Sequence, residues 1–305
     1  MKPIAALVAL LALALTATPA AAEQRLAVES APFTADAYGD VIAWSSYDAV
    51  AKTYSLRLLR AGQPVAPAVA AAAKPLDLDV GPGPDGAPVV VYSRAGDIFQ
   101  YDPATGLEQP LAEVNTAGVE RSPSIHRSAL GFVREVRRKK PVVYLRRDGN
   151  TRRQPRPRFK ETLGVDGLEL SARGLFVIYR TDIVPTCCSR ATLYRVAGGK
   201  LHHVFSVGSG GANFGQIVSP TVVRRSIFFG RTNQGSGQGN RFFRYDLRSR
   251  KLFAARGTSR ALSLTWRGDR FLMSRATATD ATDLLLTDPI RFTRATRADQ
   301  RRTRP

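Results

Sequence analysis

Three carboxylates in short, strand-like segments are the residues best placed to do chemistry. Asp77 and Asp79 lie two residues apart in PLDLDV, and residues at that spacing point to the same face of a β-strand. Glu169 lies in a similar segment, GLELS. Facing one channel, these side chains could hold a cation or act as an acid and base pair. The alternative is that they are solvated or paired with some of the many arginines.

Histidine is scarce in this chain, which contains only His126, His202 and His203. His202 and His203 are neighbours in the strand-like segment KLHHVFSV, so they point to opposite faces and cannot serve one site. A His-rich metal centre and a His-based catalytic triad are therefore poorly supplied. The sequence predicts no catalytic residue, no metal and no cofactor, and it favours a protein that is not an enzyme.

The cysteines are the adjacent pair Cys187 and Cys188. Consecutive Cα atoms are about 3.8 Å apart, whereas ordinary disulfides need roughly 4.4–6.8 Å. A bond between the two would be a strained vicinal disulfide, and the alternative is a free or intermolecularly bonded pair. In neither case can the cysteines join distant parts of the fold.

Basic residues greatly outnumber acidic ones, at 45 to 25, and the formal net charge is +20. Such a surface attracts polyanions whatever the fold. The segment from Arg134 to Lys160 contains few aromatic residues, so stacking on nucleic acid bases is not indicated. This segment is either a solvated, basic edge of the fold or a docking surface for an acidic polymer. Its other basic side chains are Arg137, Arg138, Lys139, Lys140, Arg146, Arg147, Arg152, Arg153, Arg156 and Arg158.

The elements that must position these residues recur along the chain. Six segments are rich in β-branched and aromatic residues and follow a turn, which is typical of strands: DVIAWSS, APVVVYSR, GFVREVRR, GLFVIYR, SIFFGR and RFLMSR. Their landmarks are Gly39, Gly86, Gly131, Gly174, Ser226 and Gly268, spaced by 47, 45, 43, 52 and 42 residues. That spacing is the length of one four-stranded propeller blade.

A second strand-like segment recurs at the same spacing as the first. Each repeated strand is followed by another that ends in a turn: YSLRLLRAG, DIFQYDPATG, PVVYLRRDG, TLYRVAGG, FFRYDLRSR and DLLLTDPIR. Upstream runs such as PLDLDV, GLELS and ALSLTW are predicted to be innermost strands. The pattern predicts one all-β domain, a six-bladed β-propeller of four-stranded antiparallel blades. An irregular β-sandwich also has frequent strands, but it gives no reason for a two-landmark repeat.

Five of the six repeated strands end at an arginine. In a propeller these ends emerge on one face, beside the loops that usually form the binding surface. The sequence therefore predicts a ring of guanidinium groups that binds an anion, and the general abundance of arginine is the alternative explanation. The predicted ring consists of Arg94, Arg134, Arg180, Arg231 and Arg275.

The second repeat unit resembles a known family. Its sequence, GPDGAPVVVYSRAGDIFQYDPATG from Gly83 to Gly106, is similar to the repeat of TolB-type β-propellers, with a P-D-G turn, a strand, a G-D-I hairpin and a D-x-x-T-G turn. The matching residues are Pro84, Asp85, Gly86, Gly96, Asp97, Ile98, Asp102, Thr105 and Gly106. The resemblance implies the propeller fold and binding roles in exported or periplasmic proteins, and it assigns no catalytic residue.

Both ends of the chain differ in character from the repeats. Residues 1–22 have the features of a secretory signal peptide, with Lys2, an apolar run from Ile4 to Leu15 and small residues before Glu23. The propeller is then expected over residues 23–290, followed by a basic, disordered tail over 291–305. No later stretch is long and apolar enough for a transmembrane anchor.

These observations predict an exported protein, secreted or held in the periplasm or cell envelope, that acts as a non-catalytic binding protein. Its expected partner is an acidic ligand, an envelope polymer or a protein, rather than nucleic acid, and it is expected to be a monomer. Two alternatives remain open. One is a secreted hydrolase or lyase that acts on glycans or phosphoesters through the carboxylates, and the other is a structural component of the envelope.

Overall fold

Six antiparallel sheets surround a central axis in the computed structural model, which describes residues 23–158, 162–184, 188–208, 216–231, 240–258, 260–268, 270–277 and 281–304. The predicted six-bladed β-propeller is therefore confirmed. No helix in these ranges is long and apolar enough to cross a membrane. The signal peptide over residues 1–22 and the disulfide of Cys187 with Cys188 stay predictions, because residues 1–22 and Cys187 lie outside the described residues.

The first strand of the chain, β1 (Gln24–Glu29), belongs to the last blade, and the next twelve form three blades. Each blade runs from the axis outward in chain order. Blade 1 contains β2 (Ala35–Tyr38), β3 (Val41–Asp48), β4 (Thr53–Arg60) and β5 (Gln63–Val65). Blade 2 contains β6 (Asp77–Pro82), β7 (Pro88–Arg94), β8 (Asp97–Asp102) and β9 (Leu107–Pro110). Blade 3 contains β10 (Val119–His126), β11 (Ala129–Glu135), β12 (Val142–Arg147) and β13 (Asn150–Arg153).

The later blades follow the same plan. Blade 4 contains β14 (Thr162–Ser171), β15 (Gly174–Val184), β16 (Cys188–Ala197) and β17 (Lys200–Gly208). Blade 5 contains β18 (Ile217–Val223), β19 (Ser226–Arg231), β20 (Arg241–Asp246) and β21 (Lys251–Ala255). Blade 6 contains β22 (Ala261–Arg267), β23 (Arg270–Ala276) and β24 (Thr282–Thr287), with β1 as its outermost strand.

Strand β1 closes the circle by pairing antiparallel with β24, so the two ends of the propeller are joined in one sheet. Glu29, at the end of β1, also reaches the neighbouring blade 1. Its buried carboxylate accepts hydrogen bonds from Trp44 Nε1 at 2.9 Å and from the backbone N–H of Tyr47 at 3.0 Å. The closing strand is thus attached to both blades that meet at this junction.

The core lies between the blades, with one cluster of buried apolar side chains at each of the six junctions. In β3, Val41 and Ala43 pack toward blade 2, whereas Ile42 and Trp44 pack toward blade 6. Both faces of the second strand in a blade are therefore buried. This explains why these strands appear in the sequence as continuous apolar runs rather than as alternating patterns.

The C-terminal tail, expected to be disordered, is instead folded against blades 4 and 5. It forms β25 (Phe292–Arg294), α1 (Arg297–Arg302) and β26 (Thr303–Arg304). Strand β25 adds a fifth strand to blade 5 and β26 adds one to blade 4, so these two sheets exceed the predicted four strands. The physical reason is Asp299, whose side chain is buried between two arginines of blade 5.

Close approach of two innermost strands requires a glycine at position 81. A Cβ built on Gly81 in β6 would lie 2.3 Å from the backbone oxygen of Ile125 in β10. We expect Gly81→Ala to lower the free energy of unfolding by about 1–3 kcal/mol, because overpacking forces the backbones apart. Urea denaturation followed by circular dichroism measures the loss. Gly164→Ala is the matched control, since the nearest atom to its Cβ would be 4.0 Å away; equal losses in the two variants would contradict the argument.

Candidate functional site

The six innermost strands enclose a cavity of about 370 Å³ on the propeller axis. Residues from every blade line it, among them Thr221 of β18 and Thr265 of β22. The charged residues of the described lining are Asp36, Asp77, Asp79, Asp166, Glu169 and Arg121. Five carboxylates against one guanidinium make this an acidic site, which is unexpected in a chain of net charge +20.

The carboxylates singled out from the sequence, Asp77, Asp79 and Glu169, all line this cavity. Sequence reasoning missed Asp36 and Asp166. A register signal could have found Asp36: it lies seven residues before Ala43, its partner in the blade hairpin, as Glu169 lies seven residues before Phe176. Asp79 departs from this spacing because its hairpin to β7 is longer, and it pairs with Val91.

Asp36 and Asp79 are hydrogen-bonded to each other in the cavity wall. Burial raises the pKa of Asp36 to about 6. Burial, followed by the charges of Asp36 and Glu169, raises the pKa of Asp79 well above its usual range. The pKa of Glu169 is also raised well above its usual range, first by burial and then by the charge of Asp36. These groups therefore hold protons at mildly acidic pH, when isolated carboxylates are ionised.

The other charged residues of the cavity have partners of their own. Asp77 accepts hydrogen bonds from the backbone N–H of Ser122 at 2.8 Å and from its hydroxyl at 2.9 Å. Arg121 donates to Glu135 at 2.6 Å and to the carbonyl of Val165 at 3.0 Å. Burial raises the pKa of Asp166, although the charges of Arg180 and Arg121 oppose the shift. The cavity suits a cationic or uncharged polar group, and it disfavours an acidic ligand.

The five strand-end arginines do not line the cavity, and each lies in an ion pair with a carboxylate of the same chain. The pairs are Arg94 with Glu108 at 2.5 Å, Arg134 with Glu120 at 2.6 Å, Arg180 with Asp166 at 3.5 Å, Arg231 with Asp299 at 3.0 Å, and Arg275 with Glu23 at 2.8 Å. Several also lie over aromatic rings, as Arg94 does over Phe99 at 4.0 Å. Their guanidinium groups are therefore engaged in pairs within the chain, and anion binding by the predicted ring stays a prediction.

The histidines belong to separate parts of the fold. His126 ends β10, whereas His202 and His203 are exposed neighbours in β17. His203 lies 2.9 Å from the hydroxyl of Ser206 and edge-on to the ring of Tyr194. In the described ranges, no group of three or more His, Cys, Asp or Glu residues is arranged to hold a metal ion.

A second concave site lies at the outer edge of blade 3, and we call it the basic groove. It has a volume of about 870 Å³, and its described lining contains one acidic residue, Asp148. The other lining residues are Leu145, Arg147, Asn150, Arg152, Arg153, Gln154, Pro155, Arg156 and Gly199. Its four arginine side chains are exposed.

Hydrogen bonds fix the wall of the basic groove. The backbone N–H of Gln154 donates to the carbonyl of Val143 at 2.9 Å, which continues the outer edge of blade 3 beyond β13. Tyr179 of blade 4 donates its hydroxyl proton to the carbonyl of Pro155 at 3.1 Å. The groove is therefore held on both sides, by the β12–β13 hairpin and by the neighbouring blade.

The arginines of the basic groove differ from those of the strand ends. Among the ion pairs of the described residues, none contains Arg147, Arg152, Arg153 or Arg156. Their neighbour Arg146 is instead paired with Glu113 at 3.3 Å. Within the basic segment noted in the sequence, Arg134 and Arg146 are thus in ion pairs, whereas four exposed arginines share one concave surface.

Comparison with solved structures finds propellers of several kinds. TolB from Acinetobacter baumannii is 15% identical over 84% of this chain and 66% of that chain, with a TM-score of 0.51. A puromycin-hydrolyzing peptidase of Mycobacterium tuberculosis is 12% identical over 90% of this chain and 53% of that chain, with a TM-score of 0.55. The β-propeller domain of the Trilobed protease from Pyrococcus furiosus is 12% identical over 85% of this chain and 95% of that chain, with a TM-score of 0.51.

At these identities the likeness concerns the fold, and it confirms the resemblance to TolB-type propellers at that level. The chain spans about two thirds of the length of the Acinetobacter TolB chain and about half of the peptidase chain. The Pyrococcus domain has an open velcro topology, whereas β1 closes the last blade here. No protein-family model matches the sequence, and no curated protein does.

Proposed function

We propose that this protein is an exported, non-catalytic binding protein whose basic groove holds an acidic polymer of the cell envelope. One observation carries the proposal: four exposed arginines without an ion-pair partner among the described residues line one concave surface. Arginine forms bidentate, charge-assisted hydrogen bonds with carboxylates and phosphates, so this surface suits a chain of regularly spaced anions.

The contrast with the central cavity supports this location. The charged residues that line the cavity are mostly carboxylates, so an acidic ligand would meet charge of its own sign there. The predicted arginine ring is engaged in ion pairs, and breaking them to bind an anion would cost free energy. The basic groove has neither obstacle. Net charge of +20 adds long-range attraction toward a polyanion.

Replacing Arg147, Arg152 and Arg156 together with glutamine tests the site. Polygalacturonate and polyglycerol phosphate supply the carboxylate and the phosphate form of the ligand, and neutral dextran is the blank. Each charged hydrogen bond contributes about 1.5–3 kcal/mol, so we expect affinity to fall by on the order of 100-fold or more. Binding of the unmodified protein should also weaken as salt rises, because exposed charges are screened. Biolayer interferometry at several salt concentrations measures both effects.

A control variant separates the basic groove from net charge. Arg57, Arg225 and Arg248 are exposed arginines on other blades, and their replacement with glutamine removes the same three charges. We expect this variant to keep most of its affinity. Equal losses in the two triple variants would show that binding depends on diffuse charge, and an unmodified protein that binds neither polymer would exclude the proposed function.

Export is part of the proposal and has its own test. It rests on the sequence features of residues 1–22, which lie outside the described residues, and on the likeness of the fold to TolB. N-terminal sequencing of the protein from fractionated cells should give a chain that starts at or near Glu23 in an extracytoplasmic fraction. A chain starting at Met1 in the cytoplasmic fraction would contradict export.

A hydrolase or lyase is the second candidate, and the hydrogen-bonded pair of Asp36 and Asp79 in the cavity favours it. Two carboxylates that share a proton can act as acid and base. Incubation with glycan and phosphoester substrates, with products followed by mass spectrometry, tests this candidate. Turnover that disappears in Asp79→Asn would favour it over a purely binding role.

A further inference from the structure

One polar residue of each innermost strand occupies the same place in the blade, and we call these six residues the axial ring. Each is paired in register with the middle of the second strand, opposite Ala43, Val91, Gly131, Phe176, Phe228 and Leu272 in turn. The axial ring consists of Asp36, Asp79, Ser124, Glu169, Thr221 and Thr265. Three of its members are carboxylates and three carry hydroxyl groups.

Four members of the axial ring connect consecutive blades, from blade 1 to blade 5, by the same contact. Asp36 accepts a hydrogen bond from the backbone N–H of Val80 at 2.8 Å, and Asp79 accepts one from Ile125 at 2.8 Å. Ser124 and Glu169 repeat the contact, with the N–H of Leu170 at 2.8 Å and that of Val222 at 2.9 Å. In each case the donor directly follows the axial-ring residue of the next blade.

Thr265 extends this chain of contacts from blade 6 to blade 1, because its hydroxyl is hydrogen-bonded to Asp36. Asp36 also contacts Asp79, so it touches both of its neighbours in the ring. Five junctions are thus bridged at the axis by side chains that occupy the same position in their blades. They are the junction of blade 6 with blade 1 and the four between consecutive blades from 1 to 5. The outer parts of the same junctions are held by apolar packing.

The charges that face the axial-ring carboxylates are mostly negative. Beyond the ring itself, β6 contributes Asp77, β14 contributes Asp166 and β10 contributes Arg121. In the described lining, β18 and β22 contribute no titratable group. When all the carboxylates are ionised, like charges crowd a small cavity with a single cation at its edge. Protonation of Asp36 or Asp79 relieves this repulsion and supplies a proton for the hydrogen bond between them.

We propose that the axial ring is a pH-dependent connection between the blades. It holds them tightly around the axis in mildly acidic medium, and it loosens as the medium becomes alkaline. A protonated carboxyl still accepts the backbone N–H of the next blade through its carbonyl oxygen, so the bridges persist while the repulsion is removed. Ionised carboxylates can also accept these N–H groups, but their mutual repulsion across the cavity makes the bridges open more often. This connection is independent of the basic groove, which lies at the outer edge of blade 3.

The direction of the pH dependence follows from the number of protons bound by the folded chain compared with the unfolded chain. Unfolded aspartate and glutamate ionise near pH 4, whereas burial raises the pKa of Asp36 to about 6 and those of Asp79 and Glu169 further above their usual range. The folded chain therefore binds more protons than the unfolded chain between these values. The stabilisation is fully present below about pH 4 and is lost as the pH rises through 6 and beyond.

Thermal unfolding between pH 5 and pH 8 at constant ionic strength tests the proposal. We expect the Tm of the unmodified protein to fall by about 5 °C or more over this range, since each kcal/mol shifts the Tm of a large domain by roughly 2–4 °C. Asp36→Asn mimics the protonated side chain, so it should raise the Tm at pH 8 and flatten the slope. Asp77→Asn is the matched control, a cavity carboxylate outside the axial ring, and it should change the slope less than Asp36→Asn does.

Amide hydrogen exchange of the unmodified protein provides a second measurement that needs no variant. After correction for intrinsic exchange, peptides containing Val80, Ile125 and Val222 should lose protection at pH 8, whereas outer-strand peptides should not. A wild-type Tm that rises or stays level between pH 5 and pH 8 would overturn the proposal. An Asp36→Asn slope equal to that of the wild type, or unchanged protection at the axis, would overturn it as well.

Discussion

Asp299→Ala should lower the free energy of unfolding by about 3–5 kcal/mol, because it removes a carboxylate that pairs with a buried guanidinium. Arg231 is 2% exposed and donates to Asp299 Oδ1 at 3.0 Å, while Arg241 donates to both carboxylate oxygens at 2.7 and 3.1 Å. Burial alone would raise the pKa of Asp299, but the Thr296 hydroxyl and the two arginines hold it below its usual value. Urea denaturation measures the loss, and limited proteolysis shows whether the tail detaches.

A double variant tests whether the loss comes from the buried charge of Arg231. Replacing Arg231 with methionine together with Asp299→Ala removes both members of the pair, so we expect it to be less destabilised than Asp299→Ala alone. Arg297→Ala, an exposed residue of α1, should change stability by less than about 0.5 kcal/mol. If Asp299→Ala is as stable as Arg297→Ala, the tail contributes little to the fold.

Glu29→Ala should lower the free energy of unfolding by about 3 kcal/mol, because it removes the acceptor that joins β1 to blade 1. The Trp44 indole N–H and the Tyr47 backbone N–H both donate to this carboxylate. Hydrogen bonds to a charged group contribute about 1.5–3 kcal/mol each, and buried donors left without an acceptor add a penalty. Thermal and urea unfolding measure the change, and tryptophan fluorescence, to which Trp44 contributes together with Trp266, follows the change around this junction.

Two further substitutions test whether the loss in Glu29→Ala is specific to the attachment of β1 to blade 1. Glu29→Gln keeps one acceptor oxygen, so its loss should be intermediate. Glu113→Ala removes a carboxylate of similar chemistry from a surface ion pair with Arg146, and we expect a loss of about 1 kcal/mol or less. Should Glu29→Ala cost no more than Glu113→Ala, the attachment of β1 would not depend on this side chain.

The repeat could be predicted from the sequence because each blade places its apolar residues in the same order. The second strands, such as β7 with Val90 and Val91 buried on opposite faces, appear as continuous apolar runs at a blade-length spacing. The closure by β1 could not be predicted in this way, since QRLAVE resembles any strand and its partner lies at the other end of the chain. Long-range pairing leaves no local signal.

The positions of the site residues could be predicted from the sequence, but their ion-pair partners could not. The arginines do lie at repeated strand ends, yet Arg134 and Arg180 are paired with Glu120 and Asp166, carboxylates of the preceding strand in the same blade. Only strand register brings such pairs together. The tail was misjudged for a related reason: its basic composition is typical of disorder, whereas a single buried carboxylate, Asp299, docks it.

Pairing of β1 with β24 has a consequence for the kinetics of folding. Ala27 pairs with Leu284, so the last sheet joins residues more than 250 positions apart in the sequence. Loop closure of this length is entropically costly and must precede the contacts that compensate it, which slows folding. The first strand to be synthesised must therefore wait, with its edge unpaired, until the last blade exists. A nascent or truncated chain that lacks β24 has an unprotected strand edge, and aggregation at that edge is its expected route of failure.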